Sequence, residues 1–404
     1  MSWAYQYLFP SGVISNMVVS EFKFNWDGLQ NDIEKLDFSN YVGDSTEYVR
    51  VKIPDFAGKY NFHKDLLFPK KFVRPHEYGD VVIDYKNCNW IGAAKHLVSL
   101  EHEKNSIFNK FLSISTDSLP SELHKVAYVN RYLLFIRDYL AFVSNRKDII
   151  GTIEKPKIIL THDVDAIRVS HILKLRQFFH NRQWPDLEVG TDINCIKEIV
   201  DIEREFSTKS IFFFNASKRY FSLPFIDPSY KLSDLFKTFS YLKQNKIEIG
   251  LHAGILSSFS KSSLNSEVKH LKKYLPNEKI TVRNHWLSNF KERTWKNQKL
   301  AGINIDYSVG FNDKPSMRNS SLISYMPLDN LELIPMILMD GQVHNYLQEA
   351  PENMINTFKP FIQELKNVGG IASINFHQRF FHNYYGYKDV YKLLLEYLDE
   401  EGVL

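Results

Sequence analysis

The sequence of 404 residues has only two cysteines, Cys88 and Cys195. Two such distant thiols make neither a disulfide framework nor a cysteine-based zinc site, and they point to a reduced, intracellular chain. No run of about 18 uninterrupted apolar residues occurs, so no segment is expected to span a membrane. The opening stretch MSWAYQYLFPSGVISNMVVSEF lacks a basic region followed by an apolar core. It does not read as a secretory leader, and a cytoplasmic protein is expected. Charge of one sign is also scarce: 50 Lys and Arg face 47 Asp and Glu, a net +3. Without a basic excess or stripe, nucleic acid is not an expected partner, and recognition of a phosphate-bearing ligand would have to be local. Fixed-period repeats and low-complexity tracts are absent, which argues against a solenoid.

What the chain does have is aromatic residues: 30 Phe, 22 Tyr and 6 Trp. Most are expected in the core, although aromatic faces can also stack on sugar rings. With 44% hydrophobic and 24% charged residues the chain reads as globular, and its length suggests two domains. Residues 1–150 have an irregular pattern, with strand candidates at Tyr48–Ile53 and Asp80–Tyr85 and helical stretches near Trp90–Leu112 and Ser121–Asn145. In the last of these, Val129, Tyr132, Leu133, Ile136, Tyr139 and Leu140 recur at three- and four-residue spacing, an amphipathic helix pattern. The polar stretch Asn145–Lys157, with Gly151 and Pro156, places a boundary between an N-terminal α+β domain (1–150) and a second domain (151–404). His63, Asp65, His76 and Glu77 show no site-like spacing and read as surface residues.

From residue 157 short apolar runs recur: Lys157–Thr161, Ser210–Phe214, Glu248–Leu251, Ile280–Val282, Ile303–Tyr307, Leu331–Met339 and Ile371–Phe376. Helix-length polar stretches separate most of them, including Ile167–Arg182, Ile193–Phe206, Ser233–Asn245 and Ser263–Tyr274. This alternation predicts parallel βαβ units. Seven strands in about 250 residues suggest an α/β fold of the (β/α) barrel type, incomplete or distorted. An open doubly wound sheet stays in play, because periodicity alone does not show closure.

In such folds the site lies at the carboxyl ends of the strands. Five of these seven ends carry Asp, His or Arg: Thr161-His162-Asp163-Val164-Asp165, His252, Arg283-Asn284-His285, Asp340 and His377. In extended chain Asp163 and Asp165 point the same way, and two carboxylates at a buried rim call for a positive partner such as a divalent metal. An N-cap role for Asp165 competes with this. His162 faces the other side and reads as structural. Arg283 could orient a carboxylate, or form a surface ion pair. A lone histidine is more often a satisfied core group than a ligand. The set of Asp, His and His, however, supplies three protein ligands and leaves an open position on zinc or a related metal. A second carboxylate as base and a further histidine as acid complete the layout for amide or ester hydrolysis.

These residues resemble the polysaccharide deacetylase superfamily (NodB homology, carbohydrate esterase family 4) over about 157–380. THDVD at Thr161–Asp165 is similar to an Asp-x-Asp variant of its first motif, which implies Asp163 as catalytic base and Asp165 as metal ligand. The family's His-x-x-x-His motif is matched at His252, but Leu256 stands four residues on. RNHWL at Arg283–Leu287 resembles a divergent branch, which implies Arg283 as the buttress of the base and His285 as replacement ligand. His377 in INFHQRF matches the general-acid histidine, with Asp340 as partner of His377 or Arg283. DYSVGFND at Asp306–Asp313 is similar to the same branch, but the loop after it diverges, and Arg318 stands for the branch's arginine. Trp286, Tyr307 and Phe311, near these loops, are the candidate sugar-stacking residues.

The resemblance implies a zinc-type, metal-dependent deacetylase acting on an N-acetylated sugar or glycan precursor in surface-polysaccharide or O-antigen assembly, and the lack of a leader pattern in the opening stretch favours a nucleotide- or lipid-linked precursor. Two other readings compete: a catalytically dead sugar-binding or scaffold protein on the same fold, favoured by Leu256, and a hydrolase of another group, such as a deformylase or metal-dependent phosphatase. For residues 1–150, capping of the barrel mouth or assembly into an oligomer are the open roles.

Overall fold

A computed structural model describes residues 47–54, 65–73, 85–104, 106, 108–109, 112–143, 153–165, 193–217, 230–276, 279–381 and 386–404. The expected helix Ile167–Arg182 lies outside these residues, as do His63, His76, Glu77 and most of the strand expected at Asp80–Tyr85.

Seven parallel strands form the centre: β3 (Lys157–Val164), β4 (Ile211–Asn215), β5 (Glu248–Ala253), β6 (Ile280–Asn284), β7 (Ile303–Val309), β9 (Leu331–Met339) and β10 (Ile371–Asn375). Each pairs with the next, and β10 pairs with both β9 and β3, so the sheet closes into a barrel. Closure decides between the two architectures that the strand pattern left open. The short strand β8 (Tyr325–Leu328), not anticipated from the sequence, runs antiparallel to β9 at the rim. Most of the expected strands extend by two or three residues at their carboxyl ends, which carries Asp163, His252 and Arg283 into the ladder.

Alternation along the strands sorts side chains into two layers. Ile211, Phe213, Tyr307 and Ile334 fill the barrel interior, with Ile159, Ile305 and Ile371 against them. Gly250 leaves room for this layer: a Cβ there would stand 2.5 Å from the Phe213 ring. The outward residues of β3, including Ile158, Leu160 and Val164, join the larger apolar cluster beneath the helices. His162 also points outward; its Nδ1 lies 2.8 Å from Phe376 O and its Nε2 lies 2.9 Å from Glu203. It is a structural residue, as its place in the alternation suggested.

Before the barrel, β1 (Tyr48–Lys52) and β2 (Asp65–Pro69) pair antiparallel, and helices α1 (Trp90–Val98) and α2 (Tyr128–Val143) pack beside them. Asn89 caps α1 by accepting from the amide of Gly92 at 2.8 Å. Helix α1 stops well short of Leu112, and Leu100 just beyond it takes a left-handed backbone (φ 62°). Asp65 is a surface residue paired with Arg50 at 2.7 Å. The apolar cluster runs unbroken from Val51 through the barrel helices to Val403. Buried polar contacts reinforce that join: Arg131 of α2 grips Glu364 through two bonds of 3.0 and 2.6 Å.

His102 makes the join sensitive to acid. Its Nε2 donates to Arg318 O at 3.2 Å, and burial pushes its pKa down to about 4. Between pH 6.5 and 4 the unfolded chain therefore binds a proton there that the folded chain does not, so stability falls as pH falls. The expected loss at pH 4.5 is about 2–3 kcal/mol. Urea unfolding of the wild type and His102→Gln at pH 7.5 and 4.5 measures it; parallel pH dependences in the two proteins would rule this out.

Candidate metal and catalytic centre

At the carboxyl ends of the strands a cavity of about 230 Å³ opens, lined among others by Asp163, Asp165, His252, His285, Trp286, His377 and Arg379. Three strands and their following loops bring Asp165, His252 and His285 together. Their ligand atoms lie within 4.8 Å of one another. Asp165 follows the last residue of β3, and its backbone is held from below: Tyr230 Oη donates to Val164 O at 2.7 Å. His252 Nδ1 donates to Arg283 O at 3.1 Å, and Asn215 Nδ2 donates to His252 O at 3.1 Å. The first of these bonds holds a proton on Nδ1, so the lone pair of the neutral ring is the one on Nε2, on the side of Asp165.

His285 arrives by a different route. β6 ends at Asn284, so the spacing from Arg283 to His285 is not a strand alternation. The chain turns over His285–Leu287, with left-handed backbone at Trp286 (φ 58°) and Leu287 (φ 53°). The His285 ring meets His252 edge-on, with centroids 4.9 Å apart.

The donor set fits a divalent cation. Asp165 Oδ1 lies 3.2 Å from His252 Nε2 and 3.9 Å from His285 Nε2. Asp165 Oδ1 and His252 Nε2 are buried, yet neither makes a hydrogen bond of acceptable geometry. Buried polar atoms left this way are costly unless something else satisfies them. One carboxylate oxygen and two imidazole nitrogens are the ligand types of an open zinc site. Burial works against charge on Asp165, but Arg379 and His377, with His252 and His285, hold its carboxyl well below the usual carboxylate range. Arg379 Nη1 stands 2.5 Å from Asp165 Oδ2, which leaves Oδ1 facing the histidines.

Asp163 is held from two sides. Arg283 Nη1 lies 3.3 Å from Oδ1, and Asn375 Nδ2 donates to Oδ2 at 3.0 Å. The guanidinium is fully buried. It also donates to Thr161 Oγ1 at 2.8 Å and to Tyr307 O at 3.2 Å, and it rests 4.9 Å above the Phe213 ring. His377 is fixed by Asp340: Nδ1 lies 2.6 Å from Oδ1, and the His377 amide donates to Oδ2 at 2.6 Å. Asp340 is thus the partner of His377 and not of Arg283. His377 Nε2 points back toward Asp165, 3.4 Å from Oδ2.

Three candidate substrate residues stand elsewhere. Tyr307 belongs to the barrel interior under Arg283, because β7 extends past it and its side chain takes the inward position. Phe311 is fully buried against His124. Arg318 is fully buried in a two-bond pair with Glu103, at 2.7 and 3.0 Å. None of the three is among the cavity-lining residues; of the four candidates only Trp286 is. Sequence reasoning missed Asn375 as a partner of Asp163, Arg379, and Asn345 and Tyr346 of a π-helical turn (Gln342–Leu347) at the cavity wall. Asn375 and Arg379 flank His377 at a spacing of two, a signal that was present. The π-helical turn has no motif.

No family model matches the chain, and no curated protein matches it. Among solved structures, it is similar to a protein of Mycobacterium smegmatis assigned as a polysaccharide deacetylase (12% identity, 62% of this chain and 92% of that one, TM-score 0.41). It is also similar to an allantoinase (9% identity, 60% and 84%, TM-score 0.41). A third likeness is to a carbohydrate esterase family 4 pseudoenzyme from Bacillus anthracis (11% identity, 63% and 66%, TM-score 0.33). All three are distant likenesses.

Proposed function

We propose that the protein is a metal-dependent hydrolase that removes an acyl group, N-acetyl in the first instance, from a sugar or glycan precursor. The observation that carries this is the placement of Asp163 and His377, each oriented by its own buried partner, beside the Asp165–His252–His285 donor set. Asp165, His252 and His285 would hold a divalent cation, zinc by the nature of the ligands. When bound, such a cation polarises an acyl carbonyl and lowers the pKa of water. Asp163 takes the proton of the attacking water, and Arg283 and Asn375 keep its carboxylate in place. His377 donates its Nε2 proton to the leaving amine, while Asp340 keeps the Nδ1 proton in place and so orients the ring. Trp286 offers the ring face for a sugar. The choice of an N-acetylated sugar and a role in surface-polysaccharide assembly rest on the motif resemblance; the two lone cysteines favour a cytoplasmic location, and a nucleotide- or lipid-linked precursor goes with that location.

Acetate release from a panel of acetamido sugars by the zinc-loaded protein tests the reading; no release from any of them would count against it. A second reading, a metal-free sugar binder, is favoured by Arg379, whose guanidinium already neutralises Asp165. Elemental analysis separates the two. His285→Ala is expected to lower cation affinity at least about 10-fold, whereas unchanged metal content would remove His285 from the ligand set.

A further inference from the structure

We infer that the region before the barrel is part of the active-site apparatus: Glu103, acting through Arg318, holds the left-handed turn that presents His285 and Trp286 to the cavity. Glu103 follows α1 and is fully buried, and Arg318 lies in the loop between β7 and β8. Their two-bond pair leaves Arg318 Nη1 to reach Leu287 O and Gly310 O, each at 3.4 Å. Leu287 closes the turn in which two consecutive non-glycine residues have positive φ, a conformation that costs about 1–2 kcal/mol per residue when nothing supports it.

A second strut comes from the same side. Asn312 Nδ2 donates to the carbonyl of Trp286 and to Ser113 Oγ, the latter at 3.1 Å. The next residue, Asp313, accepts from Ser115 Oγ (2.6 Å) and from Thr116 N and Oγ1 (both 2.9 Å). Phe108 stacks on Phe290, just beyond the turn, with centroids 4.8 Å apart. Glu103, Phe108, Ser113, Ser115 and Thr116 thus grip both the turn after β6 and the loop after β7. Glu103, Ser113 and Arg318 do not line the cavity, so they are positioning residues.

A matched control exists. Arg131–Glu364 is also a buried, two-bond Arg–Glu pair joining the N-terminal region to the barrel, and neither of its residues is among those lining the cavity. Glu103→Gln and Glu364→Gln should both lower stability. Only Glu103→Gln should speed amide hydrogen exchange in the peptide spanning 284–290, by about 10-fold or more, and weaken zinc binding by calorimetry about 10- to 100-fold. Should Glu103→Gln fail to fold, Ser113→Ala removes the second strut with little loss of volume, and its effect on the same peptide is the readout. Equal exchange at 284–290 in Glu103→Gln and Glu364→Gln, or wild-type exchange in Ser113→Ala, would overturn the inference. The affinity arm rests on His285 being a ligand and the exchange arm does not. Absent zinc binding with selective loosening would therefore reject the proposed chemistry and keep the positioning role.

Discussion

Asp163→Asn is expected to lower kcat for acyl release by roughly 100- to 10,000-fold while cation content stays at the wild-type level. The amide has the size of the carboxylate, and its oxygen can still accept from Arg283. The strand end and the Asp165–His252–His285 set should therefore stay in place. What disappears is an oxygen able to take a proton from water. Acetate release under saturating substrate and metal content by elemental analysis are the two measurements needed. Turnover near that of the wild type would remove Asp163 from the role of base. Loss of the cation together with turnover would instead make Asp163 part of the ligand set.

Replacing Arg283 should have the largest effect on folding. Arg283→Met keeps much of the volume and the contact with Phe213, but it removes the cation that faces Asp163 inside the barrel. It also removes the donor to Thr161 Oγ1, the Tyr307 carbonyl and Ser373 Oγ, which all accept from the guanidinium. Breaking one side of a buried pair typically costs about 3–5 kcal/mol, much of it from the charge left behind. Urea unfolding at pH 7 should show a loss of that size, and the Arg283→Met/Asp163→Asn double variant should recover part of it. A double variant as unstable as the sum of the singles would mean that the two groups are not energetically coupled.

The strand–helix alternation after residue 157 was legible because each buried parallel strand must be apolar on both faces. The polar strand ends stood out against that background. Asp163, Asp165, His252, Arg283, His285, Asp340 and His377 were singled out this way, and the structure brings their side chains to one end of the barrel. Tyr307 and Phe311 were misplaced for a related reason. A sequence shows that an aromatic lies near a strand end, but whether it reaches the mouth or stays inside the barrel depends on how far the strand runs. β7 continues to Val309, which leaves Tyr307 within the barrel interior. Arg318 was misread because its partner, Glu103, is 215 positions away and carries no motif. The short rim strand β8 has four residues and too little pattern to register.

By itself, then, the sequence determined the number of parallel barrel strands, the chemical identity of the groups at their ends and the near-neutral charge. Those properties follow from periodicity and composition, which are local along the chain. Only the tertiary structure decided that β10 joins β3 and so closes the sheet, since ladder pairing between distant segments leaves no local trace. It alone decided that Asp340 serves His377, that Asn375 and Arg283 share Asp163, and that a strained turn carries His285 to Asp165 and His252. It also decided that the N-terminal region grips that turn. Each of these depends on which distant side chains meet in space when one continuous core is buried.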